Sequence, residues 1–194
     1  DGKTAYHVIR SDPKDFRPLK PDGYLNLKDV ERLPYRLPEL LRGVKDSKQI
    51  LLLEGEKDFE RAMDMGFVAT TFHGGTGKWR EEYLEYFCGA DVVLIPDNDI
   101  PGLKGMTEIA TKLNEVASRI RMLELPGLGP CEDKHGRDFS DWADFDGNTS
   151  VILNDLVIET EDWELPLNDW IYPTKSGVRI NKALVAEHIS QDQN

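Results

Sequence analysis

The chain has 194 residues, 39% of them hydrophobic and 31% charged, with a net charge of −12 at pH 7. That is enough apolar material for one sizeable core with flanks, while the acidic balance argues against tight, independent binding of nucleic acid, whose binders are usually basic. No apolar run approaches the roughly 18 residues of a membrane span, the N-terminus shows no signal pattern, and Cys88 and Cys131 form no CxxC pair, so the expected setting is cytoplasmic, without a structural zinc site.

In chain order, residues 4–10 read as a strand and are followed by a polar stretch with Pro13, Pro18 and Pro21. Residues 24–27 read as a hairpin strand, and Pro38 opens a short helix. Ile50, Leu51, Leu52 and Leu53 make an apolar run that ends at Glu54-Gly55, as a buried parallel strand would. Residues 57–65 read as a helix with Phe59, Ala62 and Met63 on one face, closed by Gly66. A second strand is expected at 67–72, followed by the glycine-rich loop 73–78. Trp79, Tyr83, Tyr86 and Phe87 recur at helical spacing. Residues 91–95 form a third strand that runs into Pro96-Asp97-Asn98-Asp99. Met106, Ile109, Ala110, Leu113, Val116 and Ala117 mark the clearest amphipathic helix. Residues 119–125 alternate apolar and charged side chains, which predicts a fourth strand. Residues 126–150 are loop-rich, and 151–162 form one more helix or strand. After Trp163 the composition shifts toward a linker with an amphipathic segment at 181–189.

Strands alternating with helices predict an α/β fold: a Rossmann-type parallel sheet of about four strands with right-handed crossovers and helices on both faces. Charge divides the chain in the same places. Residues 1–48 carry 11 Lys+Arg against 8 Asp+Glu, residues 49–145 carry 10 against 19, and residues 146–194 carry 3 against 9. The expected organisation is a small N-terminal flank packing on the core (1–48), the core domain (49–145) and a C-terminal extension toward a further module (146–194).

Ligands of open parallel sheets sit beyond the carboxyl ends of the strands. Glu54 follows the first core strand, and Asp97 and Asp99 follow the third. Neighbouring strand ends lie roughly 5 Å apart, so the three carboxylates converge if those strands are neighbours. An all-oxygen set suits Mg²⁺ or Mn²⁺, and crowded carboxylates are costly without a cation. The simpler alternative makes Glu54 a helix cap and Asp-Asn-Asp a turn. Gly74-Gly75-Thr76-Gly77-Lys78 lacks the GxxxxGK[ST] spacing of an ATPase loop. It can still present N–H groups and Lys78 to a nucleotide or strand, or be a plain connection. Trp79 is expected in a helix core, and Cys88 is expected buried at that helix's end.

Leu52-Leu53-Glu54-Gly55-Glu56-Lys57-Asp58, then Ile95-Pro96-Asp97-Asn98-Asp99 with Gly102, then Asp138-Phe139-Ser140-Asp141-Trp142 resemble the ordered motifs of TOPRIM domains. The similarity is greatest to those of phage, prophage and plasmid DNA primases. Pro-Tyr-Arg-Leu-Pro-Glu-Leu-Leu at 34–41, Gly-Gly-Thr-Gly-Lys-Trp at 74–79 and Leu-Pro-Gly-Leu at 125–128 add to it. Together the motifs span about residues 34–145. Where many relatives have Ala-Gly-Arg, this chain has Pro101-Gly102-Leu103-Lys104, so Lys104 would act as a point charge in place of the arginine.

The resemblance implies a TOPRIM fold and metal-dependent nucleotidyl transfer: primer synthesis from NTPs on single-stranded DNA, with Mg²⁺ or Mn²⁺ as cofactor. It implies Glu54 as general acid/base or its metal-linked equivalent, Asp97 and Asp99 as catalytic metal ligands, and Asp58, Asp138 and Asp141 as supporting acids for a second ion. The alternative for Asp138 and Asp141 is a helix N-cap. Lys57, Lys78 and Lys104 are the candidate nucleotide or nucleic-acid contacts. The chain is expected to be part of a larger replication protein, beside a helicase module or subunit. The competing functions are phosphodiester cleavage of the TOPRIM nuclease or topoisomerase type, and a non-catalytic DNA-binding module of a primase-helicase.

Overall fold

The computed structural model describes residues 4–11, 15–24, 30–72, 74, 76–165, 171–174 and 177–180. The chain forms two units, Asp1–Asp162 and Trp163–Asn194. His73 and Gly75 of the glycine-rich loop, residues 25–27 of the expected hairpin strand and the segment 181–189 lie outside the described residues.

The first unit opens with an antiparallel pair, β1 (His7–Ser11) and β2 (Asp15–Leu19), in the register His7↔Leu19. After α1 (Leu37–Lys45) comes the sheet: β3 (Gln49–Leu52), β4 (Val68–Thr70), β5 (Asp91–Leu94) and β6 (Arg119–Met122). Its order is β4-β3-β5-β6, and every pairing is parallel. The expected α/β parallel sheet is therefore present. The strands are shorter than the sequence suggests at 67–72 and 119–125, because apolar side chains continue past the last ladder bond into loops that are themselves buried. Leu123 and Leu125, beyond β6, belong to the core.

Successive strand residues face opposite sides, and both faces are covered. Leu51, Val93 and Ile95 pack with Phe59 and Ala62 of α2 (Glu56–Asp64), with Phe139 and Trp142 of α4 (Phe139–Ala143), and with Leu153 and Val157 of α5 (Ser150–Glu159). On the other face, Gly43 of α1 lies so close to Ile50 and Val68 that a Cβ there would sit 2.8 Å and 2.7 Å from their side chains. The same layer holds α3 (Ile100–Leu113), which buries Met106, Ile109, Ala110 and Leu113.

Three expectations are corrected. The stripe Trp79–Tyr83–Phe87 is built on 3₁₀ turns, Thr76–Lys78 and Glu81–Phe87, not an α-helix. The rings still meet, since Trp79 lies 5.6 Å from Tyr83 and 6.0 Å from Phe87 between ring centres, although the backbone between them is 3₁₀ and extended. Cys88 is exposed, not buried, because the chain turns outward there. The fourth strand, expected over 119–125, ends at Met122, and Arg121 within it is fully buried. Its guanidinium donates to Asp91 Oδ1 and to the Val157 carbonyl, each at 2.6 Å. An edge strand covered by α5 buries both of its faces, and the alternation then signals a buried ion pair instead of a wet surface.

The second unit contains an antiparallel pair, β7 (Ile171–Thr174) and β8 (Gly177–Ile180), which the sequence reading did not anticipate. Among the described residues no helix is long and apolar enough to cross a membrane.

Candidate active site

The chain leaves β3 through α2 to β4 on one side, then crosses back to β5 on the other. This reversal makes the gap between β3 and β5 the topological switch point, where crevices form in open parallel sheets. Leu52 pairs with Leu94, so the residues just past these two strands are lateral neighbours. They are Glu54 and Asp97.

Glu54 Oε1 accepts a hydrogen bond from the Asp97 backbone N–H at 3.0 Å. Asp99 caps α3, its Oδ1 accepting from Gly102 N at 2.8 Å and its Oδ2 from Gly136 N at 3.1 Å. Gly102 is the point of closest approach. A Cβ there would lie 2.5 Å from Glu54 Oε1, 2.8 Å from the Asp97 carbonyl and 3.1 Å from Asp99 Oδ1. The structure thus brings Glu54, Asp97 and Asp99 together at one strand-end crevice.

The protonation of Asp97 and Glu54 is perturbed, by burial first and by neighbouring charge second. Burial, then the charges of Glu54, Asp58, Asp138 and Asp99, push the Asp97 carboxyl up to about 8. Glu54 is also raised, by burial first and by Asp99 and Asp58, with the Asp97 N–H pulling the other way. Among the described residues Asp97 receives no side-chain hydrogen bond, and nothing cationic compensates it. Partly buried carboxylates in mutual repulsion fit a divalent cation, whose charge would relieve the cluster. Among the described residues no group of three or more Asp, Glu, His or Cys side chains is placed to hold a metal ion.

The remaining acids are engaged otherwise. Asp58 is buried, and its Oδ1 accepts from Ser140 N at 2.9 Å and Ser140 Oγ at 2.6 Å. Asp138 and Asp141 exchange the two bonds of a capping box, at 2.8 Å and 3.1 Å, that starts α4. The N-cap alternative for these two residues is thus realised in the structure. Lys57 Nζ lies 3.3 Å from Asp138 Oδ2. Burial pulls the Lys57 ammonium down, but Asp138, Asp58 and Asp141 outweigh it and its pKa is raised. Lys104 is exposed on α3, and the turn bearing exposed Lys78 packs against that helix. Among the described residues no hydrogen bond or ion pair joins either lysine to the carboxylates.

Sequence reasoning missed the loop that fixes the acidic turn. Asn98 N donates to the Arg137 carbonyl at 2.9 Å, Ile100 N to Glu132 O at 3.0 Å, and Glu132 N to Asn98 O at 3.0 Å. The Asn98 side-chain amide reaches the Gly129 and Pro130 carbonyls. Gly136 is forced by this closeness, since a Cβ would meet Asn98 O at 2.1 Å, and His135 beside it is held at φ 58°. The only signal in the sequence was the glycine content of 126–150, which marks a loop but not its partner.

No protein-family model and no curated protein matches the sequence. Three solved structures are similar in fold. The Aquifex aeolicus primase (zinc-binding and RNA polymerase domains) superposes with a TM-score of 0.62 at 18% identity, over 84% of this chain and 38% of that one. A DNA primase domain from Pseudomonas aeruginosa gives 0.55 at 18%, over 84% and 53%. A DnaG primase catalytic domain bound to ssDNA gives 0.55 at 16%, over 81% and 51%. The chain therefore spans about half or less of the length of these proteins. The likeness establishes the fold: a TOPRIM-like α/β sheet of the kind found in primase catalytic cores.

Proposed function

We propose that this chain carries the catalytic centre of a DNA primase: metal-dependent nucleotidyl transfer that builds a primer from NTPs on single-stranded DNA. The observation that carries the reading is the convergence of Glu54, Asp97 and Asp99 at the β3/β5 switch point, with Asp97 pushed up to about 8. The shared fold with primase cores supports it.

In this reading Asp97 and Asp99 hold Mg²⁺ or Mn²⁺. The ion, when bound, supplies positive charge that acidifies an attacking hydroxyl and steadies a pyrophosphate leaving group. Glu54 handles the proton. Its raised pKa brings it toward neutrality, where a general base works best, and the Asp97 N–H keeps its carboxylate aimed across the crevice. Asp99, fixed by Gly102 and Gly136, keeps one orientation as α3 begins. Lys78 and Lys104 are exposed cations for phosphate groups of nucleotide or template. The template, the NTPs and a helicase module or subunit are the partners of this reading, in a larger replication protein of phage or plasmid type working in the cytoplasm.

The experiment incubates the chain with labelled NTPs, single-stranded DNA and Mg²⁺ or Mn²⁺, beside a matched cleavage assay on the same strand. Template-dependent primers that vanish in Asp97→Asn support primer synthesis. Metal-dependent scission without incorporation would replace it by the nuclease reading, and binding without either would make the chain a non-catalytic module.

A further inference from the structure

Apart from Glu54, five carboxylates at the switch point and α4 divide by what balances them. The Asp97 carboxylate accepts no hydrogen bond among the described residues, and Asp99, whose two oxygens each take one backbone N–H, shares its turn. Asp58, Asp138 and Asp141 accept bonds from within the protein: Asp58 from both donors of Ser140, although burial still raises its pKa, and Asp138 and Asp141 from each other's backbone N–H groups. One cation already stands beside this second group. Lys57 Nζ is 3.3 Å and 3.5 Å from the two oxygens of Asp138.

The place of that lysine is informative. It sits in the first turn of α2, where the helix dipole disfavours a positive side chain. Helix formation therefore does not explain it, whereas the acids of α2 and α4 around it do. Its side chain remains 60% exposed, so it is an electrostatic partner and not a packing element.

We propose that Lys57 is the resident cation of the second acidic group, so that the nucleotide-free protein takes one divalent ion, at Asp97 and Asp99, and the Lys57 ammonium fills the electrostatic place of another beside Asp58, Asp138 and Asp141. This rests on the cation-binding reading of the acidic turn and deepens it.

The test counts bound Mn²⁺ by electron paramagnetic resonance on the nucleotide-free chain, with thermal melts to confirm cooperative folding. The parent should bind one Mn²⁺ per chain, and Lys57→Met and Lys57→Gln should bind two. Lys57→Arg, which keeps the charge, should stay at one. Asp97→Asn should lose at least tenfold in affinity for the first ion. Two ions in the parent, or one in both neutral, folded Lys57 variants, would overturn the inference while leaving the acidic turn a metal site. No ion bound by the parent would remove both.

Discussion

Asp97 is the residue on which the electrostatics turn. Its carboxyl is pushed up to about 8 in the folded, metal-free protein, against an ordinary 3.8. Between those values the native state holds a proton that the unfolded chain has released, so stability falls as pH rises across that window. Glu54 shifts in the same direction. Melts in chelator should therefore give a higher Tm near pH 5 than near pH 8, and Asp97→Asn should flatten most of that slope. A Tm that rises with pH in the parent would contradict the assignment. Glu54→Gln separates proton handling from metal binding. The amide keeps an oxygen for the Asp97 N–H but accepts no proton, so Mn²⁺ stabilisation should persist while primer synthesis falls by about 10²–10⁴-fold. Equal turnover in the variant and the parent would remove Glu54 from that role. These acids were legible in the sequence, because a carboxylate directly after an apolar run marks the end of a parallel strand. The bonds of Asp99 were not, because both its partners depend on where a loop folds back.

At the scale of elements, the loop preceding α4 and the edge strand β6 carry what the sequence concealed. Gly136 has no room for a side chain, and the obstructing atom is the Asn98 carbonyl, which cannot swing aside. Gly136→Ala should destabilise the chain by about 1–3 kcal/mol, as overpacking against a fixed neighbour does. It should also weaken the Mn²⁺ response, because the acidic turn must shift. Gly77→Ala, with no heavy atom within 4 Å of the added Cβ, is the matched control and should leave both unchanged in urea unfolding and Mn²⁺ titration. Arg121 ties α5 to the sheet through Val157 O and pairs with Asp91 beneath it. Arg121→Ala should cost about 3 kcal/mol, the lower end for a broken buried pair, since Asp91 is 26% exposed and keeps some water. A loss under about 0.5 kcal/mol, the range of ordinary surface changes, would mean that the pair does not hold α5. Strand–helix alternation made the sheet legible, whereas the alternation inside β6 left the burial of Arg121 hidden, because a period of two cannot tell water from a covering helix.

At the scale of the whole molecule, the charge of −12 acquires a location. The core segment 49–145 carries the largest share of it, 10 Lys+Arg against 19 Asp+Glu, and six of its acids, Glu54, Asp58, Asp97, Asp99, Asp138 and Asp141, lie at the switch point and the start of α4. The N-terminal segment 1–48, with 11 Lys+Arg against 8 Asp+Glu, is by contrast net positive. The most direct test of the central claim is thermal melting of the parent and Asp97→Asn at pH 7.5, with and without Mn²⁺. The account predicts a parent that gains several degrees with Mn²⁺, as ligand binding to the native state requires, and an Asp97→Asn variant that is as stable or more stable without metal and gains nothing from it. An Asp97→Asn variant that responds to Mn²⁺ as the parent does, or a parent that does not respond at all, would contradict it.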